Sequence, residues 1–388
     1  MTSLLSDELL TGLRERAAGY DRDNAYFAED LADLQAAGYL GAMVPTSLGG
    51  RGLTLRETAH EQARLSAHAP ATALAVNMHH VWVGVGRYLH ERGDASLDWL
   101  LEEAAAGEVF GFGYSEPGND LVLLGSRTEA RPDGIGGYAF HGRKIFTSNS
   151  PAWTRLGVLG LETTADGAGE PRLVHAFITR DGGGFDVLDD WDTIGMRASQ
   201  SRTTVLRGAH APADRVLRLL PPGPSLDPYV LGIFTSFEVL LASVYAGIAD
   251  RAIELAVETV GRRTSMKTGK SYAQDPDVRR RIADMVLTQD SVWLQIDGIT
   301  RDLDASAAEP ALDRGAGWFR ATAGLKVRVT EAAREVVDLA VRVSGGSTYF
   351  NSSELGRLYR DVLAGIFHPS SDDSAHSTVA QSVLGPLE

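Results

Sequence analysis

The amino-acid sequence predicts an α+β fold in which a β domain is inserted between two helical segments. Apolar residues recur at helical spacing in the first and last parts of the chain, for example at Leu31, Leu34 and Leu40. In the middle, short β-favouring runs are separated by glycine-rich turns. The order helix, strand, helix is uncommon for two unrelated domains, so we interpret it as one fold with an inserted β layer.

The boundaries of the first two domains follow from where residues that break helices and strands are frequent. We predict an N-terminal helical domain over residues 1–109, which includes a helix over 97–109 that ends near Gly107. A middle β domain is predicted over residues 110–225, where the spacing of the short strands suits an antiparallel sheet or a small barrel. The sequence PPGP at 221–224 marks its end.

The third division is a C-terminal helical domain over residues 226–388. Three long amphipathic segments, 240–260, 277–303 and 318–343, carry this prediction. No internal repeat or low-complexity tract interrupts them.

Composition excludes several functional classes. A formal net charge of −14 argues against a nucleic-acid partner, because phosphate binding would need a basic stripe. The chain has no cysteine, so disulfides and Cys-based metal sites are excluded, and the adjacent His79 and His80 cannot share one helix face to bind a metal. The N-terminus is charged and no run approaches about 18 apolar residues. We therefore predict a cytoplasmic protein without a metal or a membrane span.

Neither of two common nucleotide-binding motifs is complete in this sequence. Residues 267–271 (KTGKS) resemble a phosphate loop, but Thr264 stands where that loop needs a glycine. No G-x-G-x-x-G follows a predicted strand, so a Rossmann-type dinucleotide site is unsupported.

Four segments together resemble the signatures of the acyl-CoA dehydrogenase family of flavoproteins. They are YSEPGND at 114–120, KIFTSN at 144–149, GMRASQSR at 195–202, and SGG followed by RLYRD at 344–361. Each is weak alone, but they occur in the family's order and spacing. The resemblance implies the family's fold, with a β-barrel-like middle domain and a C-terminal four-helix bundle, and FAD bound between the helical shell and the β domain.

The resemblance also implies which residues hold the flavin ring. Ser115 and Ser148 match hydroxyls that hydrogen-bond the ring edge, and Phe146 matches an aromatic side chain that packs against the ring. Tyr114 belongs to the same turn as Ser115 and is included in the predicted cofactor site. Turn or cap roles for the serines and core packing for Phe146 are the alternatives.

A second group is predicted for the other end of FAD. Arg263 matches the arginine that reaches the FAD pyrophosphate of a neighbouring subunit, so the resemblance implies a homodimer or homotetramer. Gly345 and Gly346 would permit close backbone approach to the adenosine, and Arg342 stands where the family has a glutamine. A solvated helix-face charge and a plain helix terminus are the alternatives.

The catalytic base departs from the family pattern. Pro369 occupies the usual glutamate position, directly after His368. A second branch of the family keeps its glutamate on an earlier helix, where this chain has Phe237 with Glu238 one residue later. Glu238 and His368 are therefore the candidate catalytic residues, with a helix-face carboxylate and a turn-capping histidine as the alternatives.

The main functional prediction is an FAD-dependent acyl-CoA dehydrogenase with a non-standard base. Glu238 or His368 would remove the α proton of an acyl-CoA or acyl-carrier-protein thioester, while flavin N5 accepts hydride from the β carbon. An electron-transfer flavoprotein would then accept the electrons.

One alternative is a flavin-dependent monooxygenase of the same fold. Reduced flavin would come from a partner reductase, and His368 would help stabilise or protonate the oxygenated flavin. The segment 368–373 is unlike the dehydrogenase consensus, which favours this alternative.

A further alternative is a non-catalytic protein that keeps the flavin fold and binds an acyl group or a partner without turnover. Such a protein would have no need of Ser115, Ser148 or Arg263.

Overall fold

The computed structural model describes residues 3–162 and 170–385 and begins with a layer of helices. These are α1 Asp7–Asp23, α2 Ala28–Ala36, α3 Leu55–His68, α4 Pro70–His90 and α5 Asp98–Ala105. Local sequence sets their starts. Ser6 caps α1 by accepting from the backbone N–H of Leu9, and Thr54 with Glu57 forms a reciprocal capping box at α3.

The described residues in the middle of the chain form one eight-stranded sheet. Its strands are β1 Phe110–Gly113, β2 Glu129–Pro132, β3 Tyr138–Lys144, β4 Arg155–Glu162, β5 Leu173–Thr179, β6 Phe185–Val187, β7 Thr204–Ala211 and β8 Val216–Leu220. The order is β6-β7-β3-β2-β4-β5-β8, and β1 pairs with β4. The sheet is mixed rather than purely antiparallel, because β1 and β2 both run parallel to the central strand β4. This strand is buried along most of its length, as parallel strands usually are.

The last part of the chain returns to helices. These are α6 Pro228–Arg262, α7 Pro276–Ala305, α8 Gly317–Ser344, α9 Glu354–Val362 and α10 Asp372–Leu384. The three long helices predicted from periodicity correspond to α6, α7 and α8. Helix α6 packs against α3, α4 and α8, which places it at the centre of the helical layers. The predicted α+β fold, with helical segments on both sides of a β domain, is confirmed.

Helix α6 is more apolar than we predicted from the sequence. By length and composition it could cross a membrane, but 89% of its most apolar window is buried inside the fold. Its apolar surface is covered by neighbouring helices, so we interpret it as a core helix.

Helix α4 joins the helical layer to the sheet. Trp82 is fully buried and its indole N–H donates to the carbonyl of Gly111, 2.8 Å away. Gly157 on β4 lies against the Trp82 ring, and a Cβ there would come within 2.2 Å of the indole. A glycine is therefore required for α4 to reach the sheet. The candidate site opens beside this junction.

Candidate active site

A cavity of about 350 Å³ lies where α4, α6, the sheet and the segment after α9 meet. Its walls combine a few hydroxyl groups with many apolar side chains, which is the usual composition of a cofactor or small-molecule site. The lining residues are Leu74, Met78, Phe112, Ser115, Phe146, Ser148, Trp191, Asp192, Thr193, Ile194, Gly195, Met196, Ser201, Phe237, Arg360, Leu363, Ala364, Phe367, His368 and Pro369.

Three residues predicted to hold the flavin ring line this cavity together: Ser115, Phe146 and Ser148. The backbone N–H of Ile145 donates to the carbonyl of Ser115 at 2.9 Å, which joins the two predicted segments. Ser148 Oγ lies 2.8 Å from Ser201 Oγ. Hydroxyls on one wall beside aromatic side chains suit a flat ring with a polar edge, so these residues fit a flavin.

A buried ion pair supports this wall from behind. Lys144 Nζ lies 2.6 Å from Glu116 Oε1, and both side chains are almost fully buried. Glu116 also accepts from the backbone N–H groups of Arg127 and Thr128. Burial alone would raise the pKa of Glu116, but the charge of Lys144 and these hydrogen bonds lower it to about 2. The pair fixes the Ser115 turn to the strand that precedes Phe146.

The side chain of Tyr114 points away from the cavity. Its hydroxyl lies 3.0 Å from His175 Nδ1 and 2.9 Å from the hydroxyl of Tyr229, and all three residues are buried. Tyr114 is absent from the cavity wall, so any contact of this residue with a cofactor would have to come from its backbone.

The loop over residues 191–196, which lines the cavity, is hydrogen-bonded to α9. Asp361 Oδ1 accepts from the backbone N–H of Met196 at 2.6 Å, and Arg360 donates to the carbonyl of Ile194 at 2.8 Å. A Cβ at Gly195 would come within 2.3 Å of the Arg360 carbonyl. The late Arg-Asp signature thus holds the earlier Gly-x-Arg segment in place.

His368 also lines the cavity. Its Nε2 lies 2.9 Å from the hydroxyl of Tyr245 on α6. Burial and the charge of Lys326 lower the pKa of His368 to about 3, so the ring is neutral. Lys326 donates to the carbonyls of Gly365, His368 and Ser370 at 2.8–2.9 Å, which fixes the turn that carries the histidine.

Glu238 lies behind the cavity wall. Its neighbour Phe237 faces the cavity, whereas Glu238 is 1% exposed and absent from the lining. Its Oε1 accepts from both the backbone N–H and the hydroxyl of Ser370, and its Oε2 has no partner among the described residues. Burial raises the pKa of Glu238 to about 7, against the opposing effect of Ser370 and Lys326.

This raised pKa predicts a pH dependence of stability. A carboxyl group that binds its proton more tightly in the folded state contributes fully below its ordinary pKa of 4.5, and the contribution is lost as the pH rises through about 7. Because glutamine cannot ionise, we expect Glu238→Gln to lose about 1–3 kcal/mol less folding stability than the wild type over this pH range. Thermal midpoints between pH 4.5 and 8 should fall for the wild type and stay flatter for the variant. Glu331→Gln, an exposed partner of Arg334 on α8, serves as the control, and equal slopes for Glu238→Gln and the wild type would contradict the assignment.

The residues predicted for the far end of FAD lie together outside this cavity. Arg263 ends α6 and donates to the carbonyl of Ser344 at 2.5 Å, beside Gly345. Gly346 follows in the next turn. Arg342 is exposed and pairs with Asp338 at 2.6 Å. The contact of Arg263 with a neighbouring subunit stays a prediction.

Several residues of the site were not predicted from the sequence. Ser201 and Trp191 line the cavity, and Tyr245 and Lys326 hold His368 in place. A signal was present for Lys326, since it falls in the buried stripe of α8, where a charged side chain needs a specific partner. Tyr245 carried no such signal. Helix α4 contributes Leu74 and Met78 to the cavity wall, whereas His79, His80 and Trp82 on the same helix do not line it.

No cluster of three or more His, Cys, Asp or Glu side chains that could hold a metal occurs among the residues that the structure describes.

The cavity fits a flavin in a helix–sheet–helix fold, and comparison with known proteins identifies the family. The family model described as acyl-CoA dehydrogenase, C-terminal domain, matches residues 239–372. An amino sugar nitrososynthase of Streptomyces rubradiris is 31% identical over 94% of this chain and 84% of its own length. An L-evernosamine nitrososynthase of a Micromonospora species is 32% identical over 97% and 89%.

Two solved structures are similar to this chain over almost its whole length. The protein KijD3, in complex with FMN and a dTDP-linked 3-amino-4-keto sugar, is 29% identical with a TM-score of 0.87, over 99% of this chain and 94% of that chain. Butyryl-CoA dehydrogenase of Megasphaera elsdenii shares the fold, with 19% identity, a TM-score of 0.83 and 99% coverage of both chains. This chain belongs to the acyl-CoA dehydrogenase-like family of flavin-dependent oxidoreductases, and its cofactor is a flavin.

Proposed function

We propose that this protein is a flavin-dependent monooxygenase that oxidises the nitrogen of an amine. The observation that carries the proposal is the composition of the cavity wall at the two positions where a dehydrogenase would place its base. Phe237 and Pro369 line the cavity there, and neither can remove a proton. The nearby carboxylate, Glu238, is engaged with Ser370 behind that wall.

The relatives support the same chemistry. The nitrososynthases act on amino sugars by their names, and an isobutylamine N-hydroxylase of Streptomyces viridifaciens is 25% identical over 91% of this chain. These comparisons favour the monooxygenase alternative over the acyl-thioester dehydrogenase prediction. An amino sugar, carried on a nucleotide as in the KijD3 complex, is the first substrate class to test.

The chain's own residues have defined tasks in this proposal. Bound reduced flavin would supply the two electrons with which one oxygen atom of O₂ enters the amine and the other leaves as water. Ser115 and Ser148 would hold the ring edge, and Phe146 would pack on its face. The apolar side chains Phe112, Phe237 and Phe367 would exclude bulk water from the reacting oxygen. His368, kept neutral, would offer a hydrogen bond without carrying a charge.

Acyl-thioester dehydrogenation is the second candidate, and one observation favours it. The pKa of Glu238 near 7 is suited to a general base. Its side chain would have to leave Ser370 and turn past Phe237 to reach the cavity.

One experiment separates the two candidates. The purified protein would be mixed with reduced flavin, O₂ and either a dTDP-amino sugar or isobutylamine, and the product would be examined by mass spectrometry. We expect oxygen to be added to the amine only when both reduced flavin and O₂ are present. Acyl-CoA thioesters added anaerobically to the oxidised holoenzyme should leave the flavin absorbance unchanged. Bleaching of the flavin by an acyl-CoA, without any amine oxidation, would contradict the proposal.

The form of the flavin can be decided with the same preparation. FAD was predicted from the resemblance, whereas the KijD3 structure holds FMN. Arg263, Gly345 and Gly346 lie outside the ring cavity, and the family resemblance implies that this arginine reaches the cofactor of a neighbouring subunit. Dissociation constants for FMN and FAD, measured by quenching of flavin fluorescence, would show which form the protein prefers.

A further inference from the structure

The contact between Tyr245 and His368 determines more than the position of a ring. Tyr245 is fully buried on α6, and its hydroxyl contacts His368 Nε2 at 2.9 Å. Among residues 3–162 and 170–385, no other hydrogen-bond partner of this hydroxyl is found. A buried hydroxyl proton without an acceptor costs about 1–3 kcal/mol. The hydroxyl therefore donates to Nε2.

The protonation of the histidine ring follows from this direction. A neutral imidazole has one nitrogen that accepts and one that carries a proton. Since Nε2 accepts from Tyr245, the proton is on Nδ1. The ring is neutral because burial and the charge of Lys326 disfavour its protonated form.

The Nδ1 edge of the ring is accessible on a residue that lines the cavity. His368 lines the cavity, and its Nδ1 has no hydrogen-bond partner within the described chain and is not among the side-chain atoms sealed from solvent. Lys326 holds the backbone of the turn at His368 and Ser370, and Tyr245 holds the ring itself at Nε2. An N–H group is thus presented to the interior of the cavity.

We propose that Tyr245 is a positioning residue that sets the tautomer of His368, so that Nδ1–H is offered as a hydrogen-bond donor to an oxygen atom gaining negative charge in the cavity. The identity of that acceptor rests on the proposed monooxygenase function. The tautomer itself does not, because it follows from the hydrogen bond alone.

The direct test is ¹⁵N NMR of the full-length protein labelled at the histidine rings, with His368→Gln used to assign the signal. We expect the wild type to show a neutral His368 ring protonated at Nδ1, and Tyr245→Phe to lose this preference. Tyr39→Phe is the matched control, since it removes one buried tyrosine hydrogen bond, to Gln62, from a residue outside the cavity wall. A wild-type ring protonated at Nε2, or a Tyr245→Phe spectrum identical to the wild type, would overturn the proposal.

Turnover supplies the second readout. We expect Tyr245→Phe to lower the amount of oxidised amine formed per reduced flavin by about three- to tenfold, with hydrogen peroxide formed instead and KM for the amine little changed. An unchanged yield, together with a lost tautomer preference, would refute the positioning role. If no amine is oxidised by the wild type, the proposed function fails, and the NMR measurement still decides the tautomer.

Discussion

His368→Ala is expected to lower the yield of oxidised amine per reduced flavin by at least tenfold, and up to about 100-fold. General acid–base and hydrogen-bonding groups of this kind contribute about 10²–10⁴ in rate, and a neutral donor lies toward the lower end. The lost electrons should appear as hydrogen peroxide, because flavin oxidation continues without transfer of oxygen to the amine. The measurement is the ratio of oxidised amine to peroxide under single-turnover conditions.

The control for this variant lies a few residues away. His376 is exposed on α10 and bonds to the backbone carbonyl of Asp372. His376→Ala removes the same chemical group from the surface and should leave the yield unchanged. Equal yields for His368→Ala and the wild type would remove His368 from the mechanism, and Tyr245 would then have no catalytic effect through it.

Lys144→Met carries the largest expected effect on stability. Removing one partner of a buried ion pair leaves an uncompensated charge, which costs about 3–5 kcal/mol. Here the remaining charge is the carboxylate of Glu116, which stays buried behind the cavity wall that Ser115 and Phe146 form. We expect the thermal midpoint to fall and the affinity for flavin to weaken, because the ion pair joins the Ser115 turn to the strand before Phe146.

A surface ion pair on the same sheet calibrates this effect. Arg131 lies 2.7 Å from Glu129, with 57% of the arginine side chain exposed. Arg131→Met should cost less than about 1 kcal/mol, since exposed pairs contribute little. If Lys144→Met and Arg131→Met shift the midpoint equally, the buried pair does not have the structural role assigned to it.

The family and the fold were both predicted from the sequence, for different reasons. The three long helices could be predicted because α6, α7 and α8 carry apolar side chains at helical spacing over many turns. The strands β1 and β4 were harder. Strand β1 is only Phe110–Gly113, half of it glycine, and β4 is buried on both faces and so lacks an alternating pattern. Their parallel pairing made the sheet mixed.

Within the site, the sequence by itself predicted several of the residues that line the candidate cavity. Ser115, Phe146 and Ser148 lie in local motifs, so a short stretch of sequence was enough to bring them forward. The missing carboxylate at Pro369 could also be read directly, because proline has no proton-accepting side chain. Such features depend on residue identity at one position of a known pattern.

Only the tertiary structure decided which way the side chains face. Phe237 and Glu238 are adjacent, and a rotation of about 100° between neighbouring helix residues puts one at the cavity and the other against Ser370. The partner of His368 is 123 residues away in the chain, on the central helix. Register on a helix and contacts between distant segments are set by packing, so no local pattern could have supplied the tautomer of His368 or the location of Glu238 behind the wall.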